Sequence, residues 1–439
     1  MRVRVSTAPR LTADPKAPHP MPSPSTPASK TRHAGLAITA LAAGGFAIGT
    51  TEFAIMGLLQ EMVTDLGISV PAGGHVISAY ALGVVVGAPL LAALGAKMPR
   101  KRLALGLMAF FAVANLSSFI APDYGWLLVT RFLSGLPHGA FFGVAAVIAA
   151  SLVAPTRRGW AISMVMLGLS VANVIGVPFA TWLGQQAGWR WMFVLVGAIA
   201  LVSVALVARF VPFQAAHPDA SIRRELSALR RIQVWLALLV GTVGFGGFFA
   251  VYTYISPTMT EVAGLPLSVL PLIVGLYGVG QVVGNVVGGR IADRSVMGSI
   301  YAVLAGTAVI LAVYAWAVQY KAGAIILVFL VGAVGSALTP ALQTRLLDVS
   351  PGAPSLASSL NHAALNVANA LGAMVGGLVI AWGWGFRSPA VVGAVLAMLG
   401  LGIALLSGAL DRRRTRLGLE GPLQPADGTD PVPDKSQSA

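Results

Sequence analysis

Twelve apolar runs, each about 18 to 25 residues long and separated by short polar breaks, make up most of this chain. A helix rising ~1.5 Å per residue needs about 20 residues to cross a hydrocarbon core of ~30 Å, so each run can span a bilayer. The runs lie near residues 36–59, 73–95, 103–121, 126–150, 160–183, 190–212, 234–256, 269–290, 299–318, 323–347, 356–380 and 388–408. In lipid an unpaired peptide group costs several kcal/mol, which forces each span to close its own hydrogen bonds as a helix. The 51 glycines then serve close contact between helices. Only 10% of the residues are charged and 56% are hydrophobic. An ordinary soluble domain carries about 25% charged residues, so this composition could not cover a soluble fold.

The formal net charge is +14, which in a soluble protein would suggest a nucleic-acid partner. Position argues otherwise. With the N-terminus inside, roughly 25 of the 29 Lys and Arg fall in cytoplasmic segments and about three outside, with Arg131 inside a span. The inner clusters are Lys97, Arg100, Lys101 and Arg102, then Arg157 and Arg158, then Arg223, Arg224, Arg230 and Arg231, then Arg412, Arg413, Arg414 and Arg416. The expected setting is a plasma or inner membrane crossed many times, with both termini cytoplasmic, the lipid bilayer as partner and no nucleic acid. Cysteine is absent from the chain, which excludes disulfides and thiolate chemistry. The Pro- and Ser-rich residues 1–33 read as a disordered cytoplasmic tail rather than a cleaved signal.

The longest polar break, Pro212 to Gln233, separates two apolar blocks of nearly equal length. Five regions follow: the tail 1–33, a six-helix bundle at 34–212, a cytoplasmic linker at 213–233, a second six-helix bundle at 234–410, and a disordered tail at 411–439. An internal repeat supports the division. Val171-Ala172-Asn173-Val174-Ile175-Gly176 recurs as Val367-Ala368-Asn369-Ala370-Leu371-Gly372, and with a one-residue shift Gly188-Trp189-Arg190 aligns with Gly385-Phe386-Arg387. Pro155 aligns with Pro351 before the respective helices. Parallel halves related by an axis along the membrane normal place a substrate site between them near midplane. The expected fold class is therefore all-α integral membrane, with twelve transmembrane helices in two pseudo-symmetric bundles.

Several strings resemble the major facilitator superfamily, in particular its twelve-span drug:proton antiporters of the arabinose-efflux and chloramphenicol-resistance branch. The first span reads Gly49-Thr50-Thr51-Glu52-Phe53-Ala54-Ile55-Met56-Gly57-Leu58-Leu59, similar to that branch's GT-x-EF-x-x-x-GLL signature. The family's loop motif after span two, G-x-L-A-D-R-x-G-R-R, is matched in part by residues 92–101, where Ala96 replaces the acid. Gly289-Arg290-Ile291-Ala292-Asp293-Arg294 keeps the acid in the second half. The resemblance implies that these loops latch the two bundles on the cytoplasmic side, through Gly289, Asp293 and Arg294. Span four carries Arg131-Phe132-Leu133-Ser134-Gly135, like the family's R-x-x-x-G motif, and span five carries Gly168, Gly176, Pro178 and Gly184, like its exporter motif. Export, coupling to protons and the major facilitator fold are what this resemblance implies.

The polar residues inside spans narrow the chemistry. Glu52 is the only acid well inside one, and an ionisable group there costs about 2.5–3.5 kcal/mol on insertion scales. Counted along their helices, Glu52 and Arg131 share a depth, so a contact between them is expected, either as a proton site or as a static ion pair. His138 and His362 could relay protons or simply pack. Glu52, Arg131 and His138 are the expected proton-coupling residues. Gln281, Asn361, His362 and Asn366 are candidate cavity contacts, while Asn173 and Asn369, in the repeated string, are expected to hydrogen-bond across helices. Phe141, Phe142, Phe248 and Tyr252, with Phe245, Phe249 and Tyr254, could line an apolar pocket or face lipid. Gly168, Ala172, Gly176, Ala180 and Gly184 form a smooth face on span five suited to close packing and to a rocking interface, with Pro178 beside it.

No metal-ligand spacing occurs among the six histidines, and no metal is expected. Gly278-Val279-Gly280-Gln281-Val282-Val283-Gly284 follows no strand and is not a dinucleotide loop; no G-x-x-x-x-G-K-[ST] string exists to bind ATP. No cofactor is expected, and the proton gradient supplies the energy. One charge moved through 100 mV is worth about 2.3 kcal/mol, which sustains roughly a fifty-fold solute gradient. The expected activity is proton-coupled efflux of a small amphipathic molecule, such as a chloramphenicol-like drug, by a monomer that is not an enzyme. Export of a sugar or nucleoside, and a transport-dead membrane sensor or scaffold, are the alternatives.

Overall fold

A computed structural model of the chain describes residues 34–95, 98–154, 157–214, 230–350 and 354–417. Twelve of its helices are long and apolar enough to cross a membrane: Ala34–Gly57, Val70–Leu91, Arg100–Phe119, Tyr124–Ser151, Trp160–Ala187, Trp191–Phe210, Ile232–Thr253, Leu267–Ala292, Val296–Ala317, Lys321–Val349, Leu360–Ala381 and Ser388–Arg413. They are called spans one to twelve below, and they match the twelve apolar runs in order. Residues 1–33 and 418–439, most of the linker, and Ala96, Lys97, Pro155 and Pro351 lie outside the described residues, while 411–416, expected as disordered tail, are helical. The twelfth helix continues to Arg416, past the limit expected near residue 408. Asp411, on this extension, pairs with Arg345 of span ten and gives the added turn a tertiary anchor.

Local chemistry sets several boundaries. Asp123 accepts from the backbone N–H of Trp126 at 2.8 Å and caps span four, and Ser295 does the same for Gly298 at the start of span nine. Gly67, at φ 63°, closes a short helix Leu59–Leu66 that follows span one and that hydropathy did not single out. Its polar residues keep it out of the apolar run. Prolines at 89 and 137 sit inside spans two and four, and π-helical turns occur at Ala172–Gly176 in span five and Thr258–Val262 after span seven.

Helix pairing repeats between the halves. Gly83, Gly87 and Gly135 bring spans two and four into backbone contact, and Gly280, Gly284 and Gly288 do the same for spans eight and ten. Gly168 brings span five onto Ala42 of span one, as Gly372 brings span eleven onto Gly246 of span seven. The halves meet along two seams with the same relation, span two against span eleven and span five against span eight. With an even number of spans, the first begins and the last finishes at one end of the molecule, here the termini end; the opposite end is the far end.

The core is divided unevenly between those ends. One apolar cluster joins Phe53, Met56, Leu59, Met62 and Ile77 of the first half to Tyr252, Tyr254, Met259 and Val274 of the second. Another, including Leu41, Phe111, Phe141 and Ala145, lies wholly inside the first half. The bundles are thus welded by apolar packing at the far end and through the midplane. Trp126, Trp160, Trp191, Trp235, Trp316, Trp382 and Trp384 are exposed near span ends, the positions of interfacial aromatic belts.

Candidate functional site

Glu52 stands near the far end of span one with only 5% of its surface exposed. Its carboxylate is within electrostatic reach of Arg131 on span four, Tyr80 on span two and Tyr252 on span seven. It therefore sits among buried groups of both bundles. Arg131 is fully buried, but it does not form the pair with Glu52 that their shared depth predicts. Its Nη1 donates to Thr51 Oγ1 at 3.0 Å and its Nη2 to the Thr51 carbonyl at 3.3 Å. Thr51 Oγ1 donates in turn to Asn115 Oδ1 at 2.7 Å. The Arg131 guanidinium also lies 4.4 Å from the ring centroid of Tyr80 and 5.8 Å from that of Phe193. Among the described residues the ion pairs are Arg190–Asp65 and Arg345–Asp411, so the expected Glu52–Arg131 contact is absent. Thr51 and two aromatic faces hold the guanidinium, whose Nε is buried without a partner, and the carboxylate is left unclaimed.

A second chain of contacts leads away from Arg131 through Tyr80. Tyr80 Oη lies 3.0 Å from His138 Nδ1. His138 faces His362 of the second bundle with ring centroids 6.4 Å apart, and Phe142 stacks on His362 at 5.6 Å and 1°. The expected proton-coupling residue His138 and the cavity residues Phe142 and His362 are thus brought together, while Phe141 packs beside Phe142 in the core of the first half.

The span-seven aromatics are buried, so the lipid-facing alternative does not hold for Phe245, Phe248, Phe249, Tyr252 or Tyr254. Tyr252 stacks on Tyr277 of span eight at 3.9 Å, with Phe53 at 5.7 Å on one side and Phe248 against Tyr277 at 5.2 Å on the other. This aromatic cluster borders Glu52. Gln281 Oε1, Asn361 Oδ1 and Asn366 Oδ1 are buried without a partner, although Asn366 Nδ2 donates to the His362 carbonyl at 3.0 Å. Buried polar atoms are nearly always paired, so unpaired amide oxygens in spans are available to water or solute. Asn173 Oδ1 and both amide atoms of Asn369 are also unpartnered, which corrects the expectation that these two hydrogen-bond across helices. Their place in the repeat reflects close packing: Gly278 approaches the backbone carbonyl of Asn173.

The gating residues divide. Gly176 packs on Thr50 and Phe46 of span one, and Gly168 and Gly184 also face span one, so the smooth stripe holds the first bundle together and is not the moving seam. Pro178 does face the second bundle, against Gly275. At the far end Gln60 donates to Glu261 Oε1 at 3.1 Å and accepts from Thr260 Oγ1 at 2.8 Å, while Gln185 donates to the Leu267 carbonyl at 2.9 Å. These cross-bundle bonds were not anticipated, because their residues lie in the polar breaks between spans. At the termini end Gly289 faces open space, and Asp293 and Arg294 are exposed with no side-chain bond among the described residues. Ala96, in the first-half latch, lies outside the described residues. Among the described residues no three His, Asp or Glu side chains cluster as a metal site would require.

Two bundles, twelve spans and a buried acid between them fit the match to the Major Facilitator Superfamily family model over residues 41–331 and 272–428. The chain belongs to this superfamily. As one of its members it is a multi-pass membrane transporter of small molecules and not an enzyme. It is 42% identical over 371 residues to the inner membrane transport protein YdhP of Escherichia coli strain K12, covering 84% of this chain and 95% of that one. It is 34% identical to the chloramphenicol resistance protein of Streptomyces lividans, over 83% of this chain and 94% of that protein. A bacterial homolog of the human lysosomal transporter Spinster shares the fold, with a TM-score of 0.68 over 87% of this chain and 98% of that one at 17% identity.

Proposed function

We infer that this transporter is a proton-coupled exporter of small amphipathic molecules that works by alternating access, with Glu52 as the proton site. The observation that carries this reading is a nearly buried carboxylate that forms no ion pair and faces Arg131 and Tyr80 of one bundle and Tyr252 of the other. A carboxylate so placed can take up a proton without breaking a salt bridge, and the proton changes how it interacts with a solute seated on the Tyr252–Tyr277 aromatics. The resistance protein of Streptomyces lividans supports a drug-like substrate by its likeness to this chain. The basic termini end faces the cytoplasm, by the bias of Lys and Arg to that side. On that reading the contacts between the bundles at the far end close the outer side in this conformation.

In proteoliposomes, Glu52→Gln should abolish substrate-driven proton flux while leaving the melting temperature near that of the parent. Substrates are found by comparing the drug susceptibility of a pump-deficient host with and without the protein. Unaltered coupled transport in the Gln variant would remove Glu52 from the mechanism. Export of a more polar solute, a sugar or nucleoside, is a second reading favoured by the unpartnered oxygens of Gln281, Asn361 and Asn366. Loss of transport in Asn366→Ala with no loss in Tyr252→Leu would select it.

A further inference from the structure

We propose that Tyr80 is the positioning residue that ties the Glu52–Arg131 region to His138, and that His138 and His362 carry the proton path on across the bundle interface toward the termini end. This rests on the proton-coupled reading above and adds to it the direction of release and the residue that connects the two parts.

The geometry is specific. Tyr80 is 1% exposed, and its two functional surfaces are both occupied. The ring face holds the Arg131 guanidinium at 4.4 Å, and the hydroxyl meets His138 Nδ1 at 3.0 Å. Spans two and four, which carry these three residues, are in backbone contact at Gly83 and Gly135, so the trio moves as one body. His362 belongs to span eleven of the other bundle, and its ring lies 6.4 Å from that of His138. Its distance from His138 therefore follows the relative motion of the bundles, whereas the link from Arg131 to His138 does not.

That arrangement has a chemical consequence. A neutral His138 with its proton on Nε2 accepts at Nδ1 from the Tyr80 hydroxyl, and one with its proton on Nδ1 donates to the tyrosine oxygen. When His138 gains a proton it becomes the donor, and the tyrosine oxygen accepts. The hydroxyl serves both forms, and more strongly the charged one, because charge-assisted hydrogen bonds are the stronger kind. Passing the Nε2 proton onward breaks one N–H bond on His138 and forms one on His362, and it leaves His138 neutral with its remaining proton on Nδ1, donated to the Tyr80 oxygen. The titratable and charged groups around His138 from its neighbours are Tyr80 on span two, His362 on span eleven and, through Tyr80, Arg131 and Glu52. His362 is braced by the Phe142 ring and by Asn366, whose amide donates to the His362 carbonyl.

The test needs no substrate. The chain has no cysteine, so Ile120→Cys and Ala322→Cys, exposed far-end positions of opposite bundles, can carry spin labels for distance measurement across pH 5 to 9. The parent should show a far-end opening that titrates. Tyr80→Phe keeps the ring under Arg131 and removes only the hydroxyl. It should move the midpoint to lower pH by about one unit, the scale of one lost hydrogen bond. In a His138→Gln background the same Tyr80→Phe change should move nothing further. A Tyr80→Phe midpoint equal to the parent's, in a parent that does titrate, overturns the inference and leaves proton coupling at Glu52 intact. An equal shift with and without His138 also overturns it, because Tyr80 would then act through Arg131 alone. A parent whose distances ignore pH overturns the proton-coupled reading itself and this inference with it.

Discussion

Arg131 and Asp65 show how differently a charge is handled at two depths of the same bundle. Arg131 is fully buried, and its guanidinium is held by Thr51 and by the faces of Tyr80 and Phe193, none of them ionised. Asp65 stands in the short far-end helix with its side chain 49% exposed, paired with Arg190 and accepting from Trp189 Nε1 at 3.1 Å. The Arg190 and Trp189 donors hold the Asp65 carboxyl below its usual range. A depressed acid stabilises the fold above its unfolded value, about 3.9, and loses that contribution as pH falls through the lower folded value. For an exposed pair the effect is at most about 1 kcal/mol. Asp65→Asn should therefore lower the melting temperature in detergent at pH 7, by an amount that shrinks as pH falls below about 3.9. A penalty that does not change with pH would mean that Asp65 acts through packing. Of this site, Glu52, Arg131 and His138 were legible in the sequence, because an ionisable group in an apolar run stands out. Tyr80 was not, since a tyrosine in a span has many uses and only the fold shows that both of its ends are occupied.

Among the helices, glycine decides which pairs close. A methyl group on Gly284 would collide with the Ala333 carbonyl and Ser336 Oγ, and one on Gly135 with the Tyr80 carbonyl, so these two sites hold spans eight and ten, and two and four, at backbone contact. Gly106, on span three, has nothing near it. Gly284→Ala and Gly135→Ala should each destabilise the purified protein by about 1–3 kcal/mol, the usual range for overpacking. Gly106→Ala should be neutral or slightly stabilising, since alanine is the better helix former by up to about 1 kcal/mol. Thermal unfolding of the three variants separates contact glycines from the rest; equal melting temperatures would contradict the seams described. The length and order of the spans could be read from hydropathy alone, because lipid imposes a helix on any apolar run of that length. Which face of span five moves could not. The small-residue stripe at Gly168, Gly176 and Gly184 marks close approach without naming the partner, and that partner is span one, in the same bundle.

For the molecule as a whole, the uneven distribution of contacts between its ends implies a hinge-like cycle. The apolar core crosses between bundles at the far end, where Gln60, Thr260 and Glu261 add hydrogen bonds, while Asp293 and Arg294 at the termini end bond to nothing among the described residues. A transporter that alternates must break the far-end contacts once in every cycle. Each net hydrogen bond contributes only about 0.5–1.5 kcal/mol, so the polar part of this seal is weak enough to reopen. Holding it shut should stop turnover without unfolding anything. With no native cysteine to interfere, Gln60→Cys with Glu261→Cys can be bridged by a short thiol-reactive cross-linker that a reductant cleaves. Cross-linking should abolish transport, reduction should restore it, and each single Cys variant should be unaffected by the reagent. Solute binding from the termini end should survive cross-linking, because the bridge holds only the far end. If turnover continued with the far end bridged, the bundles would not need to part there, and the alternating-access cycle drawn from this conformation would be wrong.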